Sequence, residues 1–235
     1  MNLRLHQRFL ACTVLLFATW TAQVSAQADG APLERVLTQM DKAAQDFHAL
    51  QASFVWDQYT KVVDETESSK GKIFFKRESG EMTMAADITE PSPKYVLFND
   101  GEVKMYEPKI DRVTSYKAGK NRAEIESFLV LGFGGRGHDL SKSYDVKYLG
   151  AEKVGNSQTD KLELIPKSEK ARGKFSKIIL WIDPALGISV QQQLFQQDGD
   201  YRLAKYSEIQ KNQKLPDGVF KLKTTGKTQY LSPQG

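Results

Sequence analysis

The chain has 235 residues, 40% of them hydrophobic, with 33 Lys and Arg against 29 Asp and Glu and a formal charge of +4 at pH 7. So small a bias gives no electrostatic footprint for nucleic acid. A single cysteine, Cys12, leaves no pair for a disulfide, so stability must come from packing, and the length suits one domain with a good core.

Arg4 and Arg8, the apolar run 9–20 and the triplets Val24-Ser25-Ala26 or Ala26-Gln27-Ala28 read as a secretory signal peptide. The run falls short of the roughly 20 apolar residues that a spanning helix needs. Residues 1–26 are therefore expected to be a cleaved leader and 27–235 a single domain, beginning at Gln27 or Asp29 and carrying no lipid. Cys12 lies inside the apolar run, whereas a lipid-attachment cysteine is expected after it. Loss of the leader removes two of the 33 basic residues and none of the 29 acids, which leaves 31 against 29.

Leu33, Val36, Leu37, Met40, Ala44 and Phe47 recur at helical spacing behind Pro32, which predicts an amphipathic helix over 33–51. The period then changes to two. Strands are predicted over 53–61, 71–77, 81–87, 94–99, 102–107 and 111–116, with Asn99-Asp100-Gly101 as a hairpin turn. In the second of these, Ile73, Phe75 and Arg77 point one way and Lys72, Phe74 and Lys76 the other, a face expected to be wet. Arg77 has two readings: a strand end that snorkels to solvent, or a buried cluster of five donors inside an apolar concavity, holding carbonyls of a covering segment. Met82 and Met84 share one strand face, as do Val103 and Met105. Methionines there make either plain core or an adaptable lining for variable apolar ligands.

A second helix is expected over 124–131, carrying Ile125, Phe128, Leu129 and Leu131, before the glycine-rich run 132–137. That run follows a helix rather than a strand and lacks a following Lys-Ser or Lys-Thr, so a hinge or lid edge explains it better than a phosphate loop. Further strands are predicted over 144–150, 159–165, 174–183, 188–196, 201–210 and 219–223. The expected fold is α+β, a meandering, strongly curved antiparallel sheet with helices gathered on one face over a concavity. Chemistry is hard to find in the same residues. His48 and His138 are the only histidines after the leader, no Gly-x-Ser-x-Gly elbow occurs, and no carboxylate pair has an informative context, so neither an enzyme nor a cofactor or metal is expected.

The order of these features resembles the periplasmic outer-membrane lipoprotein carrier family, LolA, and its lipid-binding relatives. The resemblance rests on the leading helix running into Ala52-Ser53-Phe54, the Gly71 to Arg77 strand, Asn99-Asp100-Gly101 followed by Tyr106-Glu107-Pro108, and the helix with Phe128 and Leu131. It continues through the 178–194 hairpin and Val219-Phe220-Lys221-Leu222 before Gly226. It implies an incomplete β-barrel covered by a helical lid, with Arg77 hydrogen-bonded to lid backbone. Phe128 and Leu131 match cavity-facing lid residues, and Ile73, Phe75, Met82, Met84 and Met105 would line the space beneath. The family often has proline after the arginine and aromatics on the next strand, where this chain has Glu78, Met82 and Met84.

As function, the resemblance implies a monomeric periplasmic carrier for the acyl chains of lipoproteins, loaded by an inner-membrane ABC exporter and unloaded at an outer-membrane lipoprotein receptor. The alternatives are a carrier or sink for a free lipid, and an envelope-stress sensor or interaction module.

Overall fold

The computed structural model describes residues 30–119, 122 and 130–232. The expected leader, Cys12 and residues 124–129 of the expected second helix, Phe128 among them, lie outside the described residues. Helix α1 (Gly30–Gln45) buries Val36, Leu37, Met40, Ala43 and Ala44, the stripe its 3.6-residue period requires. It stops six residues short of the predicted end. Asn212 takes over there, its side-chain oxygen accepting from the His48 N–H at 2.8 Å while its own N–H donates to the Ala49 carbonyl at 2.8 Å. Sheet pairing thus outcompetes the helical periodicity that Phe47 continues.

Strands β1 (Ala49–Thr60), β2 (Glu65–Glu78), β3 (Glu81–Glu90), β4 (Lys94–Asn99), β5 (Glu102–Glu107) and β6 (Arg112–Lys117) form a first meander. After helix α2 (Gly137–Ser143) come β7 (Tyr144–Val154), β8 (Ser157–Pro166), the one-turn helix α3 (Glu169–Arg172), β9 (Lys177–Asp183), β10 (Ile188–Phe195) and β11 (Tyr201–Lys211). Strand β12 (Gln229–Leu231) closes the order. All join one sheet, β12-β6-β5-β4-β3-β2-β1-β11-β10-β9-β8-β7. Pairing is antiparallel except between β12 and β6, and the two meanders meet where β11 returns to β1. The sheet is open, with β12 and β7 at its edges, so the barrel is incomplete.

Two apolar clusters occupy the helix-covered face. One holds Val36, Leu37 and Met40 of α1 against Leu162, Leu164, Ile178, Leu180 and Ile182. The other gathers Phe47, Phe54, Ile73, Phe75, Met82, Met84, Phe98 and Phe133 on β1–β4. No helix among the described residues is long and apolar enough to cross a membrane.

The C-terminal part departs from expectation. Residues 219–223 form no strand. Pro216-Asp217-Gly218 breaks the chain into turns, and Leu215, Val219, Phe220 and Leu222 lie over Phe74, Ala85 and Leu97 on the outer face. The Tyr95 hydroxyl donates to the Val219 carbonyl and pins this arm. Phe74, on the face expected to be wet, is therefore 5% exposed. Its cross-strand neighbours Ala85 and Leu97 make an apolar strip that needs a cover.

Candidate functional site

Register explains how the inner face is assembled. Ile73 lies opposite Ala86, which faces Val96 and then Met105, while Phe75 lies opposite Met84, which faces Phe98 and then Val103. Each row runs across four strands on one side of the pleat. The tight turn at Ser79 (φ 50°) and Gly80 (φ 86°) then puts Met82 directly across from Arg77. Ile73, Phe75, Met82 and Met84 thus share one buried cluster, whereas Met105, half-buried, follows Val96 in the first row but does not belong to that cluster.

Leu131 sits elsewhere. The resemblance placed it over Ile73 and Phe75, but it packs in the α1 cluster, and its carbonyl accepts from the buried Gln192 amide at 2.7 Å. The cause is a turn in which the Phe133 N–H donates to the Val130 carbonyl at 2.8 Å, with Gly132 at φ 77°. That turn sends Leu131 to one side and Phe133 to the other. Phe133, unnoticed in the sequence, is the residue that closes the β2–β3 side: its ring stacks on Phe75 at 5.1 Å and meets Tyr206 edge-on at 4.7 Å. A lone aromatic between glycines, Gly132-Phe133-Gly134, was the available signal.

Arg77 ties the covering elements together. One terminal nitrogen donates to the Ala44 carbonyl at 3.0 Å, the other to the Gly134 carbonyl at 2.6 Å, and the guanidinium carbon lies 5.2 Å from the centre of the Phe47 ring. Ala44 belongs to the last turn of α1, whose carbonyls have no partner within the helix and carry the negative end of its dipole. A planar fork presents donors in fixed directions to two such oxygens on separate elements, a geometry that an ammonium on a flexible stem only partly reproduces. Burial pulls the Arg77 pKa down from its ordinary value. The charge persists, since a guanidinium is not deprotonated in proteins, so its desolvation is offset by these charge-assisted bonds and the Phe47 ring.

The glycine loop comes close only because side chains are missing. A Cβ on Gly134 (φ 73°) would stand 2.6 Å from Phe47 Cγ, and one on Gly137 would stand 2.4 Å from the Leu37 carbonyl oxygen. Just beyond, His138 of α2 sets Nδ1 2.7 Å from Asp41 and Nε2 3.1 Å from Glu34, both on α1. With a carboxylate at each ring nitrogen, its pKa is raised, by Asp41 first and then Glu34. The far end of α1 is held by Arg35, bidentate to the buried Asp160 at 2.8 and 2.9 Å, with the Tyr148 hydroxyl donating to the same carboxylate at 3.0 Å.

The site is thus the aromatic and thioether inner face of an open sheet, capped by elements that one arginine links. The chain matches the family described as outer membrane lipoprotein carrier protein LolA over residues 45–223, and it belongs to that family. No curated protein matches it by sequence. Among solved structures, MucB superposes with a TM-score of 0.55 at 14% identity, over 86% of this chain and 66% of that one. In the Pseudomonas aeruginosa MucA/MucB complex the values are 0.50, 14%, 82% and 61%. This chain therefore spans less than two thirds of the matched chains' length in both. A conserved protein of Thermus thermophilus gives 0.55 at 11% identity, over 85% of this chain and 98% of that one. At such identities the likeness is one of fold.

Proposed function

We propose that the protein is a periplasmic carrier that encloses the acyl chains of lipoproteins between β1–β5 and their cover. In this reading it takes its cargo from an inner-membrane ABC exporter and hands it to an outer-membrane lipoprotein receptor. The observation that carries the reading is Arg77, which bonds backbone of two separate covering elements above Phe75, Met82 and Met84. Removing an acyl chain of about fifteen methylenes from a membrane costs roughly 12 kcal/mol, at about 0.8 kcal/mol each. A carrier must recover much of that and still let go. Latching the cover when the site is empty sets closed-and-empty against open-and-loaded, and so favours delivery. No bond is made or broken, and no cofactor is required.

Two thioethers in place of rigid aromatics favour a second cargo, a free lipid of variable shape, carried by the same device. An acyl probe with a photoreactive group, incubated with the purified protein, tests both readings. Crosslinks are expected at Ile73, Phe75, Met82 or Met84, and labelling confined to Phe74 or Lys76 on the opposite face would contradict them. Mass spectrometry of what copurifies from the periplasm then separates the cargoes: acylated protein supports the first, free lipid the second. Protein that carries nothing apolar would favour an interaction module.

A further inference from the structure

The C-terminal arm of this near-neutral chain is locally basic. Residues 211–232 hold five lysines and one acid, Asp217, a local excess equal to the whole chain's +4. The arm crosses the outer face through turns, and from Phe220 to Lys223 its side chains alternate between the sheet and solvent. Phe220 and Leu222 turn toward Phe74 and Leu97, and Lys221 and Lys223 are exposed on the other side. Lys214 and Lys227 are exposed as well, and none of these four lysines makes an ion pair among the described residues.

Exposed apolar side chains lie at the end of the arm. Thr225 and Thr228 both donate to the Asp111 carboxylate, at 2.5 and 2.6 Å, which holds Lys227 against the β5–β6 turn next to Ile110. Strand β12 follows, with Tyr230 opposite Val113 and Leu231 opposite Thr114. Ile110 is 50% exposed and Tyr230 67%; Tyr230 continues the outer row of Val113, Tyr106 and Tyr95, whereas Leu231 continues the inner row of Thr114 and Met105. An exposed tyrosine and isoleucine on the same side of the sheet as exposed, unpaired lysines match the chemistry of a bilayer interface, where rings sit among headgroups and ammonium groups meet lipid phosphates. A second copy of the same surface would bring lysine against lysine. An acidic protein surface would leave the exposed apolar side chains without a purpose.

We propose that the arm and the outer side of β12 dock the protein on an anionic bilayer surface, with Lys221, Lys223 and Lys227 against lipid phosphates and Tyr230 and Ile110 in the headgroup layer. The docking surface lies on the outside of the sheet, on the face opposite to Arg77, and does not depend on what the inner face encloses. It would bring the carrier to a membrane without committing its cover to open.

Cosedimentation with vesicles of phosphatidylethanolamine and phosphatidylglycerol (about 3:1), against phosphatidylcholine vesicles, tests it. Binding to the anionic vesicles is expected, weakening as salt rises. Each lysine near the surface is worth about fivefold in partitioning, so Lys221→Gln/Lys223→Gln/Lys227→Gln should bind about a hundredfold more weakly. Ile110→Ser/Tyr230→Ser should lose about tenfold and retain the salt dependence. These positions are exposed, so thermal melts should remain those of wild type. Equal binding to phosphatidylcholine, unchanged binding by the lysine variant, or lysine-dependent binding to polyglutamate without binding to vesicles would each overturn the proposal. Photoreactive acyl labelling of the inner face is unaffected by these variants, so it fails or succeeds independently.

Discussion

Leu180 and Met84 both sit on the covered face of the sheet, one in β9 beneath α1, the other in β3 beneath the glycine loop. Around Leu180 the residues are branched aliphatics with no exposure at all: Leu162, Leu164, Ile178 and Ile182. Their cover, α1, is held at one end by a carboxylate–guanidinium pair to the strand itself. Around Met84 the residues are Phe75, Met82 and Phe98, and the cover is Phe47 and Phe133, held through neutral carbonyls by Arg77. Stiff side chains under a fixed helix make a permanent seal. Flexible thioethers and flat rings lie under a cover held by two hydrogen bonds from Arg77. In the carrier proposed above, the first half keeps the fold and the second is the seam that parts to take up and release cargo.

The contrast can be broken from the rigid side first. Leu180→Ala should cost about 3 kcal/mol, because a fully buried leucine in a stiff setting leaves a cavity that its neighbours cannot fill. Met84→Leu should cost less than about 1.5 kcal/mol. Urea unfolding of the two variants checks this, and similar losses at both sites would erase the proposed difference. A smaller effect is expected at the seam. Gly134→Ala adds a Cβ 2.6 Å from Phe47 Cγ at a left-handed φ, which should cost about 1–3 kcal/mol. Hydrogen exchange should then show protection lost first in residues 130–137, before β8 and β9 change.

The smallest effect concerns pH. His138 has a raised pKa, so the stability it adds is fully present below the unfolded value near 6.5 and is lost as pH rises through the folded value. Its side chain is 42% exposed, so solvent screening should keep the change below about 1 kcal/mol. Stability of wild type should fall relative to His138→Gln across that rise, and parallel pH profiles would remove the histidine from the account.

Much of this was legible in the sequence. Period-two alternation placed Ile73, Phe75 and Arg77 on one face, since a strand leaves no other choice, and the 94–99 and 102–107 strands fall at the expected residues. Arg77 drew notice because a guanidinium beside Ile73 and Phe75 must find acceptors. Which acceptors it finds depends on long-range packing: Ala44 is 33 residues away and Gly134 57. The same limit hid the outer cover. Phe74 alternates with Lys72 and Lys76, so local pattern alone reads its face as wet, and only the returning arm with Val219 and Phe220 makes it dry. Leu131 and Phe133 exchanged roles because a turn with Gly132 at positive φ decides their sides, and hydrophobicity does not encode that turn.

The central claim is that Arg77 latches the empty cover, and the direct measurement separates loading from delivery. Wild type, Arg77→Leu and Arg77→Lys would be loaded with an acylated lipoprotein, and uptake and transfer to an acceptor measured independently. Leucine keeps apolar bulk and removes the donors to Ala44 and Gly134, so loading should be at least that of wild type. Transfer should fall about tenfold or more, the effect of losing roughly 1.5–3 kcal/mol of charge-assisted bonding in the closed state. Lysine should recover part of the transfer. If Arg77→Leu loads and delivers as wild type does, Arg77 is only the end of a strand and the latch does not exist.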